Sequence, residues 1–141
     1  MNPVVDAARR WIGTPYLHQA SELGVGADCL GLVRGVWREV CGAEPERLPA
    51  YTRDWAEADG REVLWSVAQR FFLPCDLATI TPGTLLLFRM RDGSVAKHLG
   101  VLSEPSQFIH AYDRHGVVEN HLTSPWRKRL VAAFMFPDGV R

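Results

Sequence analysis

The chain has 141 residues, 47% apolar and 23% charged, which suits one globular domain over residues 1–141 with a sizeable hydrophobic core. Lysine plus arginine equals aspartate plus glutamate at 16 each, so composition points to no nucleic-acid groove and no polyacidic partner. Three cysteines, Cys29, Cys41 and Cys75, with no C-x-x-C pair among them, exclude a disulfide framework and a zinc knuckle.

In chain order, the start "MNPVVDAARRWIGTPY" has no basic segment followed by an apolar core, and no stretch approaches the ~20 apolar residues that span a bilayer. The expectation is a chain made in the cytoplasm, with no membrane segment, that acts elsewhere only if carried there. Asn2 caps a first helix with Pro3 at its first position, and Val4, Val5, Ala8, Trp11 and Ile12 point inward until Gly13 stops it. "GTPYLHQASELGVGA" reads as loop. A second helix begins at Asp28 or Cys29 and runs to Val40, with Leu32, Val33, Val36, Trp37 and Val40 at three-to-four spacing and Gly42 as its stop. Gly31 and Gly35 each cost it roughly 1 kcal/mol relative to alanine, and their spacing suggests close approach to the sheet. "EPERLPAYTR" reads as a linker loop, and a third helix lies within "DWAEADGREVLWSVAQRFF", ended by Pro74.

The period then changes. Thr84–Met90, Lys97–Ser103, Gln107–Asp113, Val117–Leu122 and Leu130–Phe136 are short β-rich runs separated by turn signals at Asp92-Gly93, Glu104-Pro105 and His115-Gly116. The expected class is α+β, with N-terminal helices packed on a five-stranded antiparallel meander. Arg127-Lys128-Arg129 reads as a solvated loop face.

Cys29 carries the first chemical signal. A helix N-terminus presents unbonded N–H groups and partial positive charge, both of which stabilise a thiolate, so its pKa is expected below the usual thiol value. Asp28 is the natural N-cap. Cys41 and Cys75 read as inert small residues. A nucleophilic cysteine needs a base and a group to orient that base. His98 and His110 lie an even number of residues apart, roughly symmetric about a turn at Pro105-Ser106. A hairpin there makes them cross-strand neighbours on one face. His18, His115 and His121 read as surface polar residues.

Pro15-Tyr16, Asp28-Cys29-Leu30-Gly31-Leu32-Val33, His98-Leu99-Gly100-Val101 and Ile109-His110-Ala111, in that order, resemble the motifs of the NlpC-type peptidoglycan cysteine peptidases, a papain-like family. "TPGTLLLF" resembles the family's strand entry. The resemblance runs from Trp11 to Phe136. It departs at Leu30, where the family usually has serine, and at Thr84, where it usually has aspartate. The resemblance implies a Cys29–His98–His110 triad with Tyr16 beside the nucleophile, and substrate contacts at Gly26, Asp28 and Leu30. Cys29, His98 and His110 are also metal-ligand types, but an activated cysteine needs no metal, and neither a metal nor a cofactor is expected. The implied substrate is the peptide stem of peptidoglycan, cut between D-glutamate and diaminopimelate. The loop Leu17–Ala27 looks like the compact versions carried by tailed phages and gene transfer particles, so a tail or hub protein is the expected partner and a phage-like particle the expected vehicle to the wall. An amidase or acyltransferase acting on another amide, and a structural tail-tip protein without activity, are the alternatives.

Overall fold

The computed structural model describes residues 2–45 and 61–137. Helix α1 spans Pro3–Arg10, with the Asn2 side chain accepting from the N–H groups of Val4 and Val5. Strands β1 (Ser21–Glu22) and β2 (Gly26–Ala27) form a small ribbon inside the segment expected to be loop. Helix α2 spans Cys29–Val40; Asp28 caps its first turn, Cys41 its last, and Gly42 follows at φ +102°. Helix α3 covers Val63–Phe71; the earlier part of the third expected helix, and most of the expected linker, lie outside the described residues.

Next come β3 (Leu73–Cys75), a short 3₁₀ turn at Leu77–Thr79, β4 (Thr84–Phe88), β5 (His98–Glu104), β6 (Gln107–Tyr112), β7 (Gly116–His121), helix α4 (Ser124–Arg129) and β8 (Leu130–Met135). All five expected strands form. Among the described residues the main sheet nevertheless has six strands, in the order β3-β8-β4-β5-β6-β7. Only β4 to β7 are a meander; β8 returns antiparallel to β4, and β3 pairs on its far side. The basic run read as a loop face is helical, because Pro125 fits the first turn of α4.

Alternation along the strands separates two cores. Leu85, Leu87, Leu99, Val101, Ile109 and Ala111 face α1 and α2. Leu86, Phe88, Leu102 and Phe108 form a second cluster, against which Trp126 of α4 packs. The helix glycines do not meet the sheet. A Cβ at Gly35 would lie 2.0 Å from Trp11 Cζ2, and one at Gly31 would lie 1.8 Å from the Ala20 carbonyl oxygen. They admit α1 and the Tyr16–Ala27 loop, so it is the loop before the nucleophile that α2 holds close. Ile12 is 43% exposed rather than core, since α1 has already ended at Arg10.

Candidate active site

Three pieces of backbone meet at the mouth of α2. The first is the cap. Asp28 is buried, and its Oδ1 accepts from Gly31 N at 2.7 Å while Oδ2 accepts from Gln19 N at 2.7 Å. His18 Nδ1 lies 3.7 Å from the same Oδ2. One carboxylate therefore starts the helix and ties down the loop behind it. The second is the Pro15–Leu17 segment. Ala27 N donates to Pro15 O, Leu17 N donates to Ala27 O, and Tyr16 bridges Ala27 in parallel. That fixes Tyr16 beside Ala27, two residues before the helix start. The third is the entry of β5, where Cys29 Sγ donates to the Lys97 carbonyl at 3.7 Å.

Cys29 is buried at 8% exposure. Burial, reinforced by the neighbouring Asp28 carboxylate, pushes its thiol up to about 12, against backbone N–H groups of Leu99, Leu30 and Cys29 itself that bear on the sulfur. The lowered pKa expected from a helix N-terminus is not realised. Desolvation and one adjacent negative charge outweigh the end of the helix.

The histidines are brought together. His98 Nε2 and His110 Nδ1 are 2.7 Å apart, and His110 Nε2 lies 2.7 Å from Asn120 Oδ1. They are not directly opposite, however. Val101 pairs with Ile109, and a bulge follows between Leu102 and Glu104; carried back, that register sets His110 against Gly100 and makes His98 its diagonal neighbour. Diagonal partners lie roughly 7–8 Å apart at the backbone, a gap that two imidazoles can close. Gly100 keeps the space open, since a Cβ there would stand 2.9 Å from Phe108 and 3.4 Å from the His110 Cβ.

Both imidazoles sit on the sheet face that carries Phe88 and Phe108, not on the face that receives α2. Trp126 closes over them, with ring centroids 5.7 Å from His98 and 5.1 Å from His110, and Arg129 lies over the Trp126 ring. Tyr112 stacks on His110 and in turn on His115. Burial drives His98 well below the usual histidine range, with His110 and Arg129 adding to the effect. Burial likewise lowers His110 to about 4, against the raising effect of its bond to Asn120. At neutral pH the resting site thus holds a protonated thiol and two neutral imidazoles. The thiol's hydrogen bond goes to the carbonyl of Lys97, the residue before His98, rather than to a ring.

The other expected contact residues are engaged inside the protein. A Cβ at Gly26 would meet Leu17 at 2.7 Å. Leu30 is buried against an apolar hollow lined by Val33, Trp37, Phe71 and Phe72, and Asp28 is spent on the cap. Tyr16 does line an open groove, shared with Thr14 and the Asp113–Gly116 turn. Among the described residues no group of His, Cys, Asp and Glu is arranged to hold a metal ion, and no helix is long and apolar enough to cross a membrane. Asn120 is the site residue that the sequence reading passed over. In "VVENHL" it is one polar position among several, and only its register against Phe108, diagonal to His110, reveals it.

Comparison with known proteins agrees with the geometry. The model of the NlpC/P60 family matches residues 13–135. The murein DD-endopeptidase MepS/murein LD-carboxypeptidase of Escherichia coli K12 is 31% identical over 127 residues, covering 89% of this chain and 57% of the relative. The gamma-DL-glutamyl hydrolase of Bacillus subtilis is 25% identical over 137 residues, 96% of this chain and 29% of that protein. The chain therefore spans little more than half the length of the first and under a third of the second. In structure, the NlpC/p60 domain of the peptidoglycan hydrolase SagA superposes with a TM-score of 0.65 at 19% identity, covering 96% of this chain and all of that one. With its helix-mouth cysteine, its histidine pair and a family match over most of its length, the chain belongs to the NlpC/P60 family.

Proposed function

We propose that the chain is a cell-wall hydrolase, a cysteine endopeptidase that cuts the peptide stem of peptidoglycan at the γ-D-glutamyl–diaminopimelate bond. The observation that carries this reading is the placement of Cys29 at the start of α2, against the peptide leading into His98, whose ring is bonded to His110. The names of relatives that act on murein and on γ-glutamyl bonds support the substrate class.

His98 takes the thiol proton through the ring nitrogen that does not face His110, as Sγ swings from the Lys97 carbonyl and forms the new C–S bond. The carbonyl electron pair moves onto oxygen. The N–H groups of Cys29 and Leu30 that bear on the sulfur, with the Tyr16 hydroxyl, receive that charge; one such donor is worth about 2.7–4 kcal/mol of barrier. His98 then returns the proton to the leaving amine, water attacks the thioester with His98 again as base, and the thiol is restored. His110 holds the His98 ring in place throughout. The resting thiol is protonated, so nucleophile and imidazolium form together, within the reaction.

Purified peptidoglycan incubated with wild type and with Cys29→Ala, then read by mass spectrometry, is the test. New stem-peptide termini at γ-D-glutamate and diaminopimelate from wild type alone are the expected result; an intact wall in both samples overturns the proposal. Delivery by a phage-like tail, suggested by the compact Leu17–Ala27 loop, belongs to the same proposal. It requires the chain to be present in purified particles and fails if they lack it.

A further inference from the structure

The diagonal that joins His98 to His110 does not stop there. It continues one strand further to Asn120, whose side chain is exposed and whose Oδ1 lies 2.7 Å from His110 Nε2. His110 pairs with Val118 across β6 and β7, so Asn120, two residues on, points to the same face. Three side chains on three adjacent strands form one hydrogen-bonded line across the sheet.

An amide oxygen only accepts, and a neutral imidazole carries a single N–H. We infer that Asn120 is a positioning residue that fixes the tautomer of both histidines and leaves the lone pair of His98 Nδ1 free as the catalytic base. The proton count runs in one direction. Asn120 Oδ1 requires the His110 hydrogen on Nε2, so His110 Nδ1 is an acceptor. The 2.7 Å contact then requires the His98 hydrogen on Nε2, which strips His98 Nδ1 of its proton. The opposite tautomer of His98 would present an N–H to the thiol and could not take its proton. Without Asn120, neither histidine dictates the state of the other, because each ring can donate or accept. The inference rests on the reading of His98 as the base, and it reaches beyond that reading by assigning the atom and the residue that selects it.

Nitrogen-15 NMR of histidine-labelled protein at pH 7 reads the tautomers directly and needs no substrate. Wild type is expected to show both His98 and His110 as Nε2–H forms. Asn120→Ala removes the acceptor and should bring the two forms of each ring into exchange. Asn120→Asp, whose carboxylate can only accept, should restore the wild-type pattern. The rate of Cys29 alkylation by iodoacetamide, a second readout free of substrate, should fall about tenfold in Asn120→Ala, the scale of one hydrogen bond's net worth, and recover in Asn120→Asp. Because Asn120 lies at the surface, these variants should keep the wild-type unfolding midpoint to within small changes. A wild-type His110 with its proton on Nδ1 overturns the inference, as does an Asn120→Ala protein with unchanged tautomers and alkylation rate. Should the tautomers be as expected while peptidoglycan stays intact, the proposed substrate fails and the role of Asn120 stands.

Discussion

The buried imidazoles make stability fall as pH falls, in a window that can be calculated. His110 ordinarily titrates at 6.5 but is held to about 4 in the folded chain. Between those values the unfolded chain binds a proton that the folded chain refuses, so ΔG of unfolding decreases as pH drops and the contribution is complete above 6.5. Each pH unit in that interval costs about 1.4 kcal/mol per proton. From His110 alone the loss near pH 5 is therefore about 2 kcal/mol, and His98, displaced the same way, steepens the fall. The titratable and charged groups around the pair are Tyr112 and His115 from β6 and its turn and Arg129 from α4. None is a carboxylate that would reward protonation. Glu44, whose pKa is lowered from 4.5 by Arg34 and Arg38, loses its contribution only at more acid pH. The assay is urea unfolding by linear extrapolation at several pH values between 6.5 and 5, on wild type and His110→Gln. Wild type should lose stability steeply, and His110→Gln should lose about one proton's worth less per unit. Parallel curves for the two proteins would refute the reasoning.

Two further outcomes follow from the packing of α2. Gly35→Ala gains about 1 kcal/mol of helix propensity but drives a methyl group into the Trp11 ring, so a net destabilisation of about 1–2 kcal/mol is expected in denaturant melts; a more stable variant would contradict the close contact. Asp28→Asn retains a capping oxygen while removing the charge that raises the thiol, so the Cys29 pKa should drop from about 12, read as thiolate absorbance against pH. An unchanged or higher value would mean that the carboxylate does not act on the sulfur.

Much of the architecture is legible in local chemistry. Asn2-Pro3 and Asp28 mark helix starts, Gly42 marks a stop, and each short β-rich run from Thr84 onward forms its strand. Those signals are carried by a few neighbouring residues. What sequence reasoning misses depends on contacts distant along the chain. Leu73-Pro74-Cys75 becomes a strand only because β8 offers an edge. The histidines meet on a diagonal because a bulge beside Ser103 shifts the hairpin. The thiol is pushed up rather than down because burial, which no spacing rule reports, outweighs the helix end. Asn120 is invisible for the same reason, since its partner is fixed by register alone.

The two ends of the main sheet share a property that bears on how the protein behaves when crowded. One margin is β3, three residues long, with Pro74 contributing no N–H to an incoming strand. The other is β7, whose first residues are clasped by the loop after α1: Gly13 N donates to Val117 O and Val117 N to Thr14 O, both at 2.9 Å, and Gly116 leaves no room for a side chain against Thr14. Open β edges are templates for another chain. Here one margin is too short and lacks a donor, and the other begins already occupied. The clasp that holds the Tyr16 loop beside the nucleophile thus also guards the edge strand against aggregation.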